Sequence, residues 1–238
     1  MKWTDEQLAE FQKAHAWSTA RPIPDGRMLG AGKAVASRVD SRVEAVRTKL
    51  GAGLRVLEIG ACEAQHTVLL APFCKEVVAL EVRPKNVVGA LIRQLVNEVT
   101  NVRNVVMDVR DVTAEMGRFD LVFHVGVLYH LMNPVEHLLQ IGRLDTTALL
   151  LDTHYATIDL KRFPDRKIVQ DGVTWRTKLY RERGWSDAFS GVEAESAWLY
   201  RDDLLSLISA IGFPQIEILR DEVERNGPRI GLLARRKH

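Results

Sequence analysis

One buried strand and the turn that follows it constrain the fold of this chain most strongly. The apolar run 54–59 contains an acidic residue, Glu58, near its end and leads into a turn of small residues at 60–64. Continuous apolar runs of this length are typical of strands in a parallel sheet covered by helices. Ligands of such sheets bind at the carboxyl ends of the strands, where a helix N-terminus favours negative charge. The sequence therefore predicts an α/β fold with a ligand site at this turn.

Two more acidic residues follow the next two apolar runs. Glu81 ends the run 77–80, about twenty residues past the turn, where a carboxylate accepts both ribose hydroxyls of a nucleoside. Asp108 ends the run 104–107. Three successive strands tipped by carboxylates indicate a cofactor that contains a nucleoside and no phosphate.

This series resembles the class I S-adenosylmethionine-dependent methyltransferases. The resemblance implies that the turn holds the methionine part of S-adenosyl-L-methionine, that Glu81 holds the ribose, and that Asp108 with Val109 holds the adenine. The family's turn has glycine at three alternate positions, and only Gly60 is kept here. The residues assigned to the cofactor are Trp17, Glu58, Gly60, Ala61, Cys62, Glu63, His66, Glu81, Val82, Arg83, Asp108, Val109, Val125 and Gly126.

The segment after the fourth predicted strand makes the resemblance more specific. The string Gly-Val-Leu-Tyr-His-Leu at 126–131 is followed by Asn133-Pro134, an N-cap with proline at the first helical position. This string is similar to a methyltransferase subgroup that includes tRNA wobble-uridine modifying enzymes and many small-molecule methyltransferases. Trp17 and the turn 23–26 resemble the N-terminal segment of that subgroup. The resemblance covers the chain from about residue 15 to its end.

Composition sets bounds on the class of protein. The chain has 238 residues, 46% of them hydrophobic, which fits one α/β domain with modest additions. No stretch approaches the ~20 apolar residues of a transmembrane helix, and the polar N-terminus does not resemble a secretory signal. The two cysteines, Cys62 and Cys74, do not indicate a disulfide framework, so we expect a cytoplasmic protein. No His/Cys cluster has zinc spacing, and no metal is predicted.

The alternation of strands and helices from residue 54 predicts a Rossmann-like, seven-stranded sheet with flanking helices and an antiparallel last strand. An insert follows the fifth strand. Asn226-Gly227 is a hairpin signal before the last strand, with Pro228 lengthening the loop. We expect strands near 55–59, 77–81, 103–107, 119–125, 147–152, 214–219 and 229–235, and helices near 64–72, 86–99, 134–142 and 202–211.

The first 53 residues are predicted to form N-terminal lid helices, with a methyltransferase core over 54–238. A capping box at 4–7 starts a helix near residue 5, and we expect this helix to act as a lid. The proline- and glycine-rich stretch 21–32 is typical of a loop. Valines at helical spacing, among them Val35 and Val39, predict a second helix over 33–50 that Gly51 ends.

The insert 153–200 is long, lacks clear periodicity and is rich in aromatic residues. Loops of this length in a compact domain are more often functional than neutral. We interpret the insert as a substrate-binding cover, the alternative being a small satellite core. Between Lys161 and Arg183 it has eight basic and three acidic residues, which fit either a solvated face or a site for an anionic substrate.

Methyl transfer to a hydroxyl requires loss of a proton, and a histidine is the usual general base. The catalytic candidates are His130, His154 and Tyr129. His130 equally suits a structural hydrogen bond within its turn, and His124, inside the fourth strand, suits the core. For Asp152 the sequence leaves three roles open: orienting a histidine, binding a substrate amine, or capping a strand.

The sequence thus predicts an S-adenosylmethionine-dependent methyltransferase that acts on a small molecule, at the hydroxyl of a sugar or secondary metabolite. One alternative is a tRNA wobble-uridine modifying transferase, against which the net charge of +2 counts. Another is a non-catalytic partner protein that keeps the fold. The sequence leaves the acceptor and the oligomeric state open.

Overall fold

The computed structural model describes residues 3–34 and 38–237. Single turns of 3-10 helix cover Val109–Asp111, Ala114–Met116 and Leu128–His130. In chain order the other elements are α1 (Asp5–Lys13), β1 (Thr19–Pro22), β2 (Met28–Gly30), β3 (Lys33–Ala34), α2 (Ser41–Leu50), β4 (Arg55–Ile59), α3 (Thr67–Leu70), β5 (Glu76–Glu81), α4 (Pro84–Val96), β6 (Val102–Val106), β7 (Phe119–Val125), α5 (Pro134–Arg143), β8 (Thr146–His154), β9 (Asp165–Gln170), β10 (Val173–Arg181), β11 (Glu195–Leu199), α6 (Arg201–Ala210), β12 (Gln215–Glu224) and β13 (Gly227–Arg235).

The central element is a seven-stranded sheet with the order β12-β13-β8-β7-β4-β5-β6. The pairs β4–β5, β5–β6 and β7–β8 are parallel, whereas β13 is antiparallel to both β8 and β12. The predicted Rossmann-like fold with its antiparallel last strand is confirmed. The chain divides into two compact units, residues 1–108 and 109–238, which are described in turn.

In the first unit, the ends of three parallel strands form a common edge. Ile59 pairs with Leu80 and Glu81 pairs with Val106, so the turn after β4, the end of β5 and the residues after β6 lie at this edge. The interiors of β4 and β5 are buried, as the apolar runs predicted, whereas β6 at the edge of the sheet is only partly buried. The helix expected near 64–72 is shorter than predicted: regular α-helix covers only α3, because the preceding residues continue the turn.

The N-terminal segment begins as predicted and then departs from the prediction. Thr4 and Gln7 form the capping box of α1, whose Leu8 packs with Trp17, Ile23 and other apolar residues in one cluster. The stretch 21–32, expected to be a loop, contributes to a small sheet with the order β2-β1-β3.

The helix expected over 33–50 is wrong in its first third. Residues Lys33–Ala34 pair with β1, and α2 begins at Ser41 after Asp40, whose carboxylate accepts from the N–H of Arg42 as an N-cap. Val39 is 67% exposed and belongs to no helical face, while Val35 lies outside the described residues. Gly51, with φ of +86°, ends the helix as predicted.

In the second unit, β7 and β8 lie at the centre with nearly all of their residues buried. Their ends are in register, Val125 opposite Asp152, so the residues after both strands lie at one edge. Asn133 caps α5 by accepting from the N–H of Glu136, with Pro134 at the first helical position, as predicted.

The insert 153–200 is more regular than its sequence indicated, because it contains an antiparallel sheet with the order β11-β10-β9. The closing hairpin is also tighter than predicted. Glu224 pairs with Gly227 and Val223 with Pro228, so Pro228 lies within β13 and does not lengthen the loop. No helix among the described residues is long and apolar enough to cross a membrane.

Candidate functional site

The turn after β4 keeps a glycine-like backbone although two of its three glycine positions are substituted. Gly60, Cys62 and Ala64 have φ of +72°, +50° and +60°, which is the left-handed region. A residue with a Cβ loses roughly 1–2 kcal/mol in that conformation. The surrounding structure therefore holds this turn in a conformation that its own side chains disfavour.

Glu81 is the main contact that holds the turn. Its carboxylate is buried and accepts from the N–H of Cys62 at 2.9 Å, the N–H of Arg83 at 2.9 Å and Asn86 Nδ2 at 3.1 Å. Burial raises the pKa of Glu81, and the hydrogen bonds from the two N–H groups act in the opposite direction. The carboxylate thereby joins the end of β5 to the turn after β4.

Glu58 lies beneath the turn and is 1% exposed. Its Oε2 accepts from Thr67 Oγ1 at 2.6 Å, while Oε1 has no hydrogen-bond partner among the described residues. Burial, reinforced by the nearby charge of Glu81 and opposed by the bond from Thr67, raises the pKa of Glu58 to about 7. An acceptor oxygen without a donor is therefore available at the base of the turn.

The other residues assigned to this edge have varied surroundings. Burial raises the pKa of the Cys62 thiol to about 12, so this thiol stays protonated and is not a nucleophile. Val82, Arg83 and Asp108 are half-buried where β5 and β6 end. Ala61 is buried, and its N–H donates to the carbonyl oxygen of Leu80.

Glu63 contacts the N-terminal segment with both carboxylate oxygens. It is fully buried and accepts from the N–H of Ser18 at 2.7 Å, from the N–H of Thr19 at 3.0 Å and from Thr19 Oγ1 at 2.6 Å. His15 Nε2 lies 3.2 Å and Arg93 Nη2 3.7 Å from the carboxylate. These contacts anchor β1 against the turn, so Glu63 positions the protein chain.

Trp17 and His66 are also engaged by protein groups. Trp17 is 9% exposed, donates to the carbonyl oxygen of Gln12 and has the guanidinium of Arg93 over its ring at 4.9 Å. His66 Nε2 lies 2.9 Å from Arg42 Nη2 and 3.4 Å from Asp40 Oδ2. Trp17 thus anchors the N-terminal segment through contacts within the protein.

In the second unit, the turn after β7 brings Gly126 and Tyr129 together. Val125 is buried, as is Val109 at the start of the unit, and the N–H of Gly126 donates to the carbonyl oxygen of Asp152. Gly126 has φ of +78°, and a Cβ there would lie 3.7 Å from the hydroxyl of Tyr129. Burial raises the pKa of Tyr129, so its hydroxyl donates hydrogen bonds at neutral pH and is not a base.

His130 is held by a carboxylate from the insert. Its Nδ1 lies 3.0 Å from Oε1 of Glu182, which also accepts from Ser190 Oγ, the N–H of Gly191 and Ser196 Oγ at 2.6–2.8 Å. Burial alone raises the pKa of Glu182, but the bonds from His130 and the serines outweigh it and bring the pKa to about 2. Because an ionised carboxylate only accepts, Nδ1 of His130 carries a proton, and Nε2 carries the lone pair in the neutral ring.

His154 is fixed in a different way. Its Nδ1 donates to the carbonyl oxygen of Pro228 at 3.0 Å, and its ring stacks on Trp198 at 4.9 Å. Burial lowers its pKa, so the ring is neutral at physiological pH. The second face of Trp198 is covered by Tyr180 at 5.0 Å, which shows that these rings form a small aromatic core within the unit.

Asp152 is held by two arginines at the centre of the second unit. It is fully buried, and Arg220 and Arg229 both pair with its carboxylate, Arg220 at 2.9 Å. Asp152 thus anchors the neighbouring strands β12 and β13 through these two arginines, a role that differs from the three expected for it. Within the described residues, no group of three or more His, Cys, Asp or Glu side chains is arranged to hold a metal ion.

Sequence reasoning missed Glu182, Arg93 and Arg21. Glu182 lies 52 residues from its partner His130, and Arg93 is 30 residues from the carbonyl oxygen of Glu63 that it binds. The available signals were weak: one of several acidic residues in a basic insert, and an arginine on a face of α4 that also carries Asn86 and Gln94.

Comparison with known proteins agrees with this architecture. Residues 57–144 match the family described as "Methyltransferase domain". No curated protein matched the sequence.

The N-terminal domain of EvdMO1 with S-adenosylhomocysteine (SAH) bound is 26% identical, with a TM-score of 0.78 over 100% of this chain and 98% of that one. A structure of the same domain in the presence of SAH and D-fucose is 27% identical, with a TM-score of 0.75 over 98% of each chain. Magnesium protoporphyrin IX methyltransferase from Synechocystis PCC 6803, with SAH bound, shares the fold at 18% identity and a TM-score of 0.59, over 83% of this chain and 81% of that one.

Proposed function

Because this chain is a class I S-adenosylmethionine-dependent methyltransferase, with S-adenosyl-L-methionine as its cofactor, we propose that it methylates a hydroxyl group of a small molecule. The observation that carries this proposal is the pair formed by His130 and Glu182. A histidine whose Nδ1–H is held by an ionised carboxylate is prepared to accept a proton at Nε2. Hydroxyl acceptors need such a base, since their protons are lost during the transfer.

The turn after β4 fits the methionine part of the cofactor. Its positive-φ backbone at Gly60, Cys62 and Ala64 permits close approach of a ligand, and Ala61 has only a methyl group. The free Oε1 of Glu58 is a suitable acceptor for an ammonium group. When bound, the cofactor supplies an activated methyl group on sulfur, and the chain supplies position and exclusion of water.

The nucleoside would be held where β5 and β6 end. Glu81 already accepts two N–H groups and an amide, and a carboxylate has about four acceptor positions, so it retains capacity for a ribose hydroxyl. We assign Val82 and Arg83 to the sides of the ribose, and Asp108 with Val109 to the adenine. A carboxylate accepts the amine protons of adenine, and an apolar side chain packs against its ring.

His130 is the base in this proposal because of its tautomer. With Nδ1–H donated to Glu182, the Nε2 lone pair accepts the hydroxyl proton of the acceptor, and the charge of Glu182 stabilises the imidazolium that forms. His154 also has a lone pair at Nε2 in its neutral form, but the residue is 4% exposed, its ring is stacked on Trp198, and its Nε2 lies 3.9 Å from Glu224 Oε2. We therefore place Tyr129 as a hydrogen-bond donor and His154 as the second candidate base.

Two observations support a sugar as the acceptor: the position of the insert and the sugar named for one similar structure. Residues 153–200 supply Glu182, so the insert is part of the catalytic unit and we assign it to acceptor binding. The EvdMO1 domain was crystallised in the presence of D-fucose, a 6-deoxyhexose. We propose a deoxysugar, free or within a larger metabolite, as the acceptor.

A tRNA acceptor is less well supported by the basic residues of the insert. Arg176 pairs with Asp203 and Lys178 with Asp165. Arg183 pairs with Asp187, and Arg162 donates to a backbone carbonyl oxygen. The three basic residues that pair with carboxylates contribute little to a surface that follows phosphates, whereas Arg162 keeps its charge.

The test is methyl transfer from radiolabelled S-adenosylmethionine to a panel of 6-deoxyhexose glycosides, with bulk tRNA as a separate arm. We expect an O-methyl ether, located by NMR. The variant His130→Gln should lose at least about 100-fold in rate, the usual contribution of a general base, while its SAH affinity stays unchanged in calorimetry.

The matched control is His154→Gln, which should retain most of the rate. Loss of rate in His154→Gln with an active His130→Gln variant would move the base to His154. A product methylated at nitrogen or carbon, or transfer to tRNA alone, would refute the proposed acceptor.

A further inference from the structure

Arg21 is a buried arginine with two side-chain nitrogens that have no hydrogen-bond partner among the described residues. It lies in β1 and is 2% exposed. The two nitrogens are Nε and Nη1. Arginine has five donors, and a buried guanidinium that leaves donors unpaired is unfavourable by several kcal/mol in the absence of a ligand. The two unpaired nitrogens would be satisfied by a ligand that carries hydrogen-bond acceptors.

Asp40, the carboxylate that acts on the pKa of Arg21, is already engaged by another arginine. Asp40 accepts from the N–H of Arg42 at 3.0 Å, from Arg42 Nε at 2.9 Å and from Arg42 Nη2 at 2.6 Å. Burial lowers the pKa of Arg21; Asp40 opposes this effect, and Arg42 and Arg38 add to it. Three guanidinium groups, each with one positive charge, therefore lie near a single carboxylate.

The remaining polar group in this cluster is uncharged. Burial lowers the pKa of His66, with Arg42 and Arg21 acting in the same direction and Asp40 against them. His66 is thus neutral at physiological pH, and the cluster of Arg21, Arg38, Arg42 and Asp40 has an excess of positive charge. Such a cluster attracts an anion.

The cluster adjoins the turn assigned to the methionine part of the cofactor. Two residues before Arg21, Thr19 binds the carboxylate of Glu63, which lies within the turn. His66 lies two residues after Ala64, and the next residue, Thr67, donates to Glu58. Arg21 is also near enough to His66 for its charge to lower the pKa of that histidine, so Arg21 lies beside this part of the first unit.

We propose that Arg21 binds the carboxylate of the methionine part of the cofactor. This inference rests on the cofactor site proposed above. A carboxylate presents two oxygens in one plane, which matches the planar fork of a guanidinium, and the bond is strengthened by the charges of both groups. The ammonium group of the same methionine part then has Glu58 Oε1 as its acceptor, so both charges of the amino acid find a buried partner.

The test compares two ligands that differ only in this carboxylate. SAH and its decarboxylated analogue, 5′-deoxy-5′-(3-aminopropylthio)adenosine, are titrated by calorimetry into the wild type and into Arg21→Met. We expect the wild type to prefer SAH by about 10- to 100-fold, the usual range for a charged hydrogen bond. Arg21→Met should bind SAH and the analogue with about equal affinity, because its affinity for SAH falls while its affinity for the analogue stays unchanged.

Thermal unfolding without ligand separates this role from a structural one. Removing an unpaired buried charge should leave the Tm of Arg21→Met unchanged or higher, whereas loss of a structural contact lowers it. Arg21→Gln, which keeps length and polarity, is the second variant in case methionine impairs folding. Arg47→Met, on α2 and paired with the exposed Glu44, is the matched control and should change neither quantity.

Three outcomes would overturn the assignment or its basis. A wild-type preference for SAH that survives in both Arg21 variants would remove Arg21 from the carboxylate site. Equal loss of both ligands together with a lower Tm would make Arg21 structural. Failure of the wild type to bind either ligand would refute the proposed cofactor site itself, which distinguishes that failure from an error about Arg21.

Discussion

The pair of buried histidines in the second unit makes stability depend on pH in a way that can be calculated. His124 in β7 and His137 in α5 face each other with their Nε2 atoms 2.9 Å apart, and His124 is fully buried. Burial, together with the neighbouring His137, holds the pKa of His124 well below its usual value. Its Nδ1 has no hydrogen-bond partner among the described residues, and the one hydrogen bond that favours the charged ring, to its own backbone, is outweighed by burial.

The sign of the effect follows from proton linkage. The folded chain keeps His124 neutral, whereas the unfolded chain protonates it below a pKa of about 6.5. Stability is therefore fully present above this value and falls as the pH decreases. Between pH 7.5 and pH 5.5 a histidine that titrates only when unfolded removes about 1.4 kcal/mol from the free energy of unfolding.

The measurement is urea unfolding of wild type and His124→Gln at pH 7.5, 6.5 and 5.5, followed by the fluorescence of the five tryptophans. The variant is expected to be less stable at every pH, because it loses a packed ring. Its loss of stability between pH 7.5 and 5.5 should be smaller than that of the wild type by about 1.4 kcal/mol. If both proteins lose the same amount over this range, His124 is protonated in the folded state and the argument from burial is wrong.

Two further predictions concern the carboxylates at the turn. Glu81→Ala should weaken SAH binding by roughly 1–3 kcal/mol, the range for lost hydrogen bonds to a charged group, and calorimetry that finds unchanged affinity would reject the ribose assignment. Glu63→Ala should lower the free energy of unfolding by about 3–5 kcal/mol, because the buried Arg93 loses its counter-charge and the N–H groups of Ser18 and Thr19 lose their acceptor. Urea unfolding measures this loss, with the exposed Glu10→Ala as the control, and an equal effect of both substitutions would contradict the role of Glu63.

The parts of the fold that the sequence predicted have local causes. The cap at Thr4, the Asn133-Pro134 start of α5 and the buried strands β4 and β7 each arise from residues a few positions apart. Their signals are therefore contained in short windows of sequence. The error over 33–50 has the same origin, because the spacing of Val39 matched a helix whose first turn the strand pairing of Lys33–Ala34 prevents.

The parts of the site that the sequence did not reveal depend on contacts between distant residues. Glu182 and His130 are 52 positions apart, and Glu63 and Ser18 are 45 positions apart. No pattern along the chain distinguishes Glu182 from the other acidic residues of the insert, or Arg21 from a surface arginine. Such residues are recognised only when burial and hydrogen-bond partners are known.

The substituted glycine turn shows how a motif can change while its geometry persists. The left-handed backbone at Cys62 and Ala64 is unfavourable by roughly 1–2 kcal/mol for each residue. Against this, Glu81 accepts from the N–H of Cys62, and Glu63, between the two strained residues, binds the N-terminal segment through several hydrogen bonds. Each such bond to a buried carboxylate contributes roughly 1.5–3 kcal/mol. The two carboxylates therefore offset the strain from either side of the turn, and glycine is not required at positions where its conformational freedom would otherwise be needed.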